Sequence, residues 1–228
     1  MKKVMVFITD GFADWEASYV TAELNKQGTG FQVQTMAIDK HPKTSMGGLT
    51  VLPDYSLKDF PFKLDFAMLI IPGGTGWREK KNHQVKKLVS FCFEHNIPVA
   101  AICDATTFLG NYGFLDQNKH TGNSLAYLKE GAPNYRGDEN YIEKQSVSDG
   151  CLITANGSGA LEFSKDILNK LNVLKSKELE EWYALFKKWF YSDNRRTYRK
   201  ITHFKLLKKR PDSNKNLLNR RYGCFFTV

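Results

Sequence analysis

The stretch PVAAICDATTFLG, residues 98–110, decides how this chain of 228 residues is read. An apolar run stops at Cys103, an aspartate follows at once, and a small-residue, helix-capable stretch comes next. A strand that turns directly into a helix lifts one side chain to the sheet edge. It also sets that side chain near the helix N-terminus, where unpaired N–H groups and the dipole favour negative charge. Cysteine acts as a nucleophile only as thiolate, so this setting suits a reactive thiol. The same N–H groups can hold an oxyanion. The plain structural alternative is an inert cysteine buried at a strand end.

Outward from Cys103 the pattern alternates. Residues 3–9 (KVMVFIT), 65–71 (DFAMLII) and 97–102 (IPVAAI) are near-continuous apolar runs, as in strands buried on both faces. Residues 31–38 alternate like a further strand. Helical spacing predicts helices over 13–27, closed by Gly28, and over 83–95, 104–112, 159–174 and 177–191. Within the first, Trp15, Tyr19 and Val20 read as core-facing. Gly47-Gly48 predicts a small hairpin within 44–57, and Asp149-Gly150 another within 141–154. Strand–helix alternation with short connections means a doubly wound, mostly parallel α/β sheet with helices on both faces. Sites in such sheets form at the carboxyl ends of the strands. Three stretches stand there: Asp10 to Glu16, Pro72 to Trp77, and Cys103-Asp104.

A 42% hydrophobic composition is enough for one sizeable core. No apolar run of about 18 residues occurs, so no membrane span is expected. The opening MKKVMVFITDGFADWE reads as a first strand, not a signal peptide. The four cysteines, Cys92, Cys103, Cys151 and Cys224, are widely and irregularly spaced. That excludes a zinc ribbon or a disulfide scaffold and implies a reduced, cytoplasmic setting. Cys92 and Cys151 read as core residues.

The net charge of +9 dissolves once mapped. Residues 192–228 hold 11 Lys and Arg against 2 Asp and Glu, which leaves 22 of each sign in residues 1–191. Residues 1–191 are therefore a neutral α/β domain and 192–228 a basic C-terminal extension. That extension reads as a solvated, disordered or non-native appendage rather than a nucleic-acid arm. Nucleic acid is not an expected partner.

Five stretches, in order, carry a resemblance: KVMVFITDGFADWEA, MLIIPGGTG, AAICDAT, GFLDQNKHTGN and ITANGSGALEFSKDIL. Together they resemble the ThiJ/PfpI superfamily over roughly residues 2–175. The resemblance implies a flavodoxin-like α/β/α sandwich of the glutamine-amidotransferase type, a homodimer, with a reactive cysteine on a nucleophile elbow. It makes Cys103 the nucleophile and Glu16 the acidic residue that approaches the sulfur from the first helix. It makes Gly73 and Gly74 the turn whose amides, with that of Asp104, hold an oxyanion. GGTGW lacks the Lys-Ser/Thr of a phosphate loop, so nucleotide binding there is rejected. No metal and no organic cofactor is implied.

The general base is where the sequence departs from the family. Protease-like branches carry histidine directly after the cysteine, and here that residue is Asp104. Other branches carry histidine about twenty residues on, and aligning NKHTGNSL puts Asn123 there. His120 lies three residues earlier and is the expected base; the other histidines read as surface residues. A neighbouring aspartate raises a thiol's pKa by like-charge repulsion, unless Asp104 turns away to cap the helix, which is its default reading. Trp77 reads equally as a pocket wall and as core. Gly157 and Ser158 open a late helix whose N-terminus faces the pocket.

The expected function is a cysteine-dependent hydrolase or amidotransferase-like enzyme on small carbonyl or acyl substrates, a peptidase by family analogy only. The alternative is a non-enzymatic, redox-sensing stress-response protein oxidised at Cys103.

Overall fold

Seven strands build the central sheet, and their burial explains the apolar runs. The computed structural model describes residues 1–60 and 65–188. The basic extension 192–228, its boundary at 191, and His203 and Cys224 lie outside the described residues. In chain order the strands are β1 (Lys2–Phe7), β2 (Phe31–Ala37), β3 (Lys43–Thr44), β4 (Thr50–Val51), β5 (Tyr55–Ser56), β6 (Met68–Ile71), β7 (Val99–Ile102), β8 (Ser146–Asp149) and β9 (Leu152–Ala155). The sheet order is β5-β2-β1-β6-β7-β9-β8, all parallel except β8, which runs antiparallel to β9. β3 and β4 form the small hairpin expected around Gly47-Gly48.

Both faces of the central strands are covered. Met5, Phe7, Leu69, Ile71, Val99 and Ala101 pack on one side, and Val4, Val6, Met68, Ile70, Ala100 and Ile102 on the other. The first side is covered by α2 (Lys86–Glu94), α3 (Asp104–Asn111) and α4 (Leu125–Gly131). The second is covered by α1 (Asp14–Leu24), α5 (Ala160–Lys170) and α6 (Ser176–Lys187). This is the doubly wound flavodoxin-like architecture that the alternation predicts. Because β1, β6, β7 and β9 are mutually parallel, the segments that follow them emerge at one edge. No helix among the described residues is long and apolar enough to cross a membrane.

Element ends differ from expectation where side chains intervene. α1 stops at Leu24, three residues before expected, because Thr29 Oγ1 donates to the Leu24 carbonyl at 2.6 Å. Asn25 at the same end accepts the Val33 N–H at 2.9 Å. Residues Lys80–Val85 form a 3-10 turn ahead of α2, so the helix expected from 83 begins at 86.

The face of α1 also needs correction. Its buried stripe is Glu16, Ala17, Val20, Glu23 and Leu24, while Trp15 is 48% exposed and Tyr19 37%. The helix turns two carboxylates inward and leaves two aromatics at the surface. Glu23 is matched by the Trp182 indole N–H at 3.0 Å. Tyr19 meets Phe186 edge-on, with ring centroids 5.2 Å apart.

Candidate active site

Cys103 occupies a single-residue joint. Its N–H extends the β7–β9 ladder by donating to the Ala155 carbonyl at 2.9 Å. Its own carbonyl already accepts from α3, from the Thr106 N–H at 3.0 Å and the Thr106 hydroxyl at 2.6 Å. Strand pairing ends and helix bonding starts on the same residue, which forces φ to 58°. A non-glycine residue in that region costs about 1–3 kcal/mol and persists only where surroundings over-determine it.

Two glycines close in on this joint. A Cβ on Gly73 would lie 2.6 Å from Cys103 Cβ and 2.9 Å from Glu16 Oε2. A Cβ on Gly157 would lie 2.8 Å from the sulfur. At neither position does a Cβ fit without a neighbour moving, so the loops after β6 and β9 press directly against the thiol.

Glu16 enters from the first turn of α1 and is fully buried. Its Oε2 accepts the Gly73 N–H at 2.6 Å, while Oε1 is buried with no hydrogen-bond partner among the described residues. Burial pushes its pKa up to about 7; the Gly73 N–H and the Cys103 thiol pull against that, and the charge of Asp104 adds to it. The thiol itself is pushed up to about 11, first by burial and then by the Glu16 charge. The Asn123 amide and the Asp104 N–H work in the opposite direction. A proton on Glu16 removes the charge that opposes the thiolate and supplies a donor in its place.

Asn123 donates from Nδ2 to the sulfur at 3.4 Å. Its orientation is fixed: the Gly157 N–H can only donate, and it holds Oδ1 at 2.9 Å. The Asn156 side chain braces the same segment through the Asn123 carbonyl at 3.0 Å. An amide cannot accept a proton at ordinary pH, so the position aligned with a family histidine carries a hydrogen-bond donor and no base.

His120 does not join this group. It is fully buried, with Nδ1 against the Asn118 carbonyl at 2.7 Å and Nε2 against the Tyr135 hydroxyl at 2.7 Å. Both ring nitrogens are thus engaged, and burial holds its pKa below the ordinary histidine range. The reason is local: residue 120 bridges to Tyr141 in a parallel pairing, which carries the ring into a cluster with Tyr135 and Tyr141. The expectation of His120 as base is corrected.

Further expectations change. Gly73 cannot offer its N–H to an oxyanion, because Glu16 already takes it. Gly74 lies against the backbone of residues 11–12, bridged antiparallel to Phe12. Asp104 does not cap α3: its Oδ1 accepts the Tyr127 hydroxyl at 2.8 Å, and Oδ2 lies 3.7 Å from Arg78 Nε. Trp77 is both: it is buried on Phe7 and Phe108, with its indole N–H on the Pro72 carbonyl at 2.7 Å, and it borders the cavity beside Asp104. His83 is half-buried, not a surface residue, and is held between the Tyr112 hydroxyl and the Trp77 carbonyl. Ser158 stays exposed, on Asn156 and Gln145.

Among protein families, the model of the DJ-1/PfpI family matches residues 2–170. The chain belongs to the DJ-1/PfpI family. A relative from Bacillus subtilis, "Uncharacterized protease YoaZ", is 36% identical over 192 residues, covering 82% of this chain and 91% of that protein. "Deglycase TK1284" of Thermococcus kodakarensis is 26% identical over 160 residues, covering 70% and 92%. The solved thiJ/pfpI family protein from Bacillus anthracis superposes with a TM-score of 0.78 at 35% identity, covering 90% and 95%. Within the DJ-1/PfpI sheet of this chain, Cys103, Glu16, Gly73, Asn123 and Gly157 meet, and His120 stays apart. Arg78 and Tyr127, which clasp Asp104, carry no signal in the sequence, being 49 positions apart on separate elements.

Proposed function

We propose that this DJ-1/PfpI protein is a cysteine-dependent enzyme that works on the carbonyl or acyl group of small substrates. One observation carries the reading: a strained, left-handed Cys103 stands against a buried carboxyl with a pKa of about 7. A group that titrates there can both take and return a proton near neutrality. Glu16 accepts the thiol proton, and the sulfur adds to the carbonyl carbon. The developing oxyanion is met by the Asp104 amide and by Asn123 Nδ2. Glu16 then returns the proton to that oxygen or to the leaving group. Water completes hydrolysis where the substrate is an acyl compound. A free thiol as the working atom suits a reducing cytoplasm. The exposed Trp15, Tyr19 and Phe186 support a homodimer that covers them.

A second reading has its own support. Asn123 stands where a base would be needed for efficient peptide cleavage, and it donates to sulfur only. Once Glu16 has taken its proton, the sulfur is equally open to oxidation by peroxide, which takes it to the sulfenic acid and releases water. The deciding experiment incubates wild type, Cys103→Ser and Glu16→Gln with methylglyoxal, with amide substrates and with peroxide. Turnover lost in both variants supports the enzyme. Mass gain at Cys103 without turnover of any substrate overturns it in favour of the sensor.

A further inference from the structure

We propose that Arg78 and Tyr127 are positioning residues for the chemistry at Cys103: they clasp and neutralise the Asp104 carboxylate, so that the sulfur ionises beside a compensated charge. The inference rests on Cys103 being the reacting atom.

Asp104 is a poor neighbour for a nucleophilic thiol. It follows Cys103 directly, and its carboxylate is buried. A buried charge is tolerated only when paired and hydrogen-bonded. The structure supplies both. Tyr127, from α4, donates its hydroxyl proton to Oδ1 at 2.8 Å. Arg78, from the turn Thr75–Arg78 after β6, donates from Nη2 to that same hydroxyl at 2.9 Å and sets Nε 3.7 Å from Oδ2. The tyrosine hydroxyl is therefore a relay: it accepts from the guanidinium and donates to the carboxylate. The three side chains come from three elements and converge on a cavity of about 280 Å³.

The charged and titratable groups that face this cluster divide clearly. Glu16 faces it from α1, and the Asp104 charge already presses on Glu16. Glu130 of α4 and His83 of Lys80–Val85 border the same cavity. Among the described residues Arg78 is the one arginine or lysine that borders it, so removing Arg78 leaves the Asp104 and Glu130 carboxylates there without a cationic counterweight. Arg78 is largely exposed, and exposed pairs act weakly. Its leverage comes from the buried partner and the tyrosine relay that fixes the geometry.

The test follows iodoacetamide alkylation of Cys103 against pH, read at that residue by peptide mass in the full chain. Arg78→Gln shifts the profile to higher pH by about half a unit and slows alkylation about threefold on its acid side. Tyr127→Phe shifts it the same way. Arg78→Lys restores most of the rate. In the Asp104→Asn background Arg78→Gln has no further effect, and high salt narrows the wild-type difference. Profiles of Arg78→Gln and Tyr127→Phe that overlay wild type overturn the proposal. So does an undiminished Arg78→Gln shift in the Asp104→Asn background. A wild-type Cys103 that stays inert from acid to alkaline pH sinks the reading beneath it, and the clasp with it.

Discussion

Glu16 Oε2 accepts the Gly73 N–H at 2.6 Å, and the two residues stand 57 positions apart in sequence. That one bond ties the first helix to the turn after β6 and holds a carboxyl against the thiol. Its partner oxygen, Oε1, is left buried and unbonded among the described residues. Such an atom favours the protonated acid, whose O–H can point where a carboxylate oxygen would be stranded.

Stability therefore depends on pH through Glu16. Its folded pKa of about 7 lies above the 4.5 of an ordinary glutamate. The native state binds the proton more tightly than the unfolded chain, so the contribution is complete below about pH 4.5 and is lost as pH rises through about 7. The loss is at most about 3 kcal/mol. Urea unfolding of wild type and Glu16→Gln across pH 4–8 checks this: the wild-type midpoint falls with pH over that window relative to the variant's. Parallel curves refute the shift.

Asn123→Asp keeps an oxygen for the Gly157 N–H but replaces the donor at sulfur with a negative charge. Alkylation of Cys103 at fixed mildly alkaline pH is expected to slow by about tenfold, with the fold retained. An unchanged rate would mean that the 3.4 Å contact does not act on the thiolate.

The two flanking glycines separate access from folding. Gly157→Ala puts a methyl 2.8 Å from the sulfur, so it blocks alkylation while costing about 1 kcal/mol or less once the thiol rotates. Gly73→Ala meets Cys103 Cβ at 2.6 Å and the Ile102 carbonyl at 2.9 Å, neither of which can swing away. It costs about 1–3 kcal/mol by overpacking. Thermal unfolding beside alkylation rates distinguishes the two, and equal destabilisation would contradict the assignment.

His120 is expected to matter for folding and not for chemistry. Tyr135→Phe leaves Nε2 buried without its 2.7 Å partner and costs about 1–3 kcal/mol. The pH profile of Cys103 alkylation stays where it was. A displaced profile would restore His120 to the site.

Much of the fold was legible because the central strands are buried on both faces and read as unbroken apolar runs. Met68–Ile71 and Val99–Ile102 are fully buried, and they begin three and two residues later than the apolar runs 65–71 and 97–102. Helix ends were not legible where a side chain such as Thr29 captures a terminal carbonyl from five residues away. Residue type misled twice. Trp15 and Tyr19 point to the core by residue type, while the helix phase buries Glu16 and Glu23 and leaves both rings at the surface. His120, a histidine near the elbow in sequence, points to a base, while its backbone pairing turns it to Tyr135. The neighbourhood of Cys103 was legible only through ordered likeness to a family, since Glu16, Asn123 and Gly157 come from separate segments. The clasp of Arg78, Tyr127 and Asp104 was illegible, because polar contacts between distant elements leave no period in a sequence.

The joint at Cys103 has one more consequence. Its sulfur meets Glu16, Gly73, Asn123 and Gly157 only after β1, β6, β7 and β9 have paired, and these contacts span most of the domain. In an unfolded chain the same thiol ionises like any free cysteine, near pH 8.5. In the folded chain burial carries it to about 11. Alkaline solution between those values rewards whichever state ionises the thiol more easily, and that is the unfolded one. Cys103 is thus a built-in gauge of sheet completion: a labelling reagent at mildly alkaline pH reads how many molecules in a sample have finished assembling their sheet.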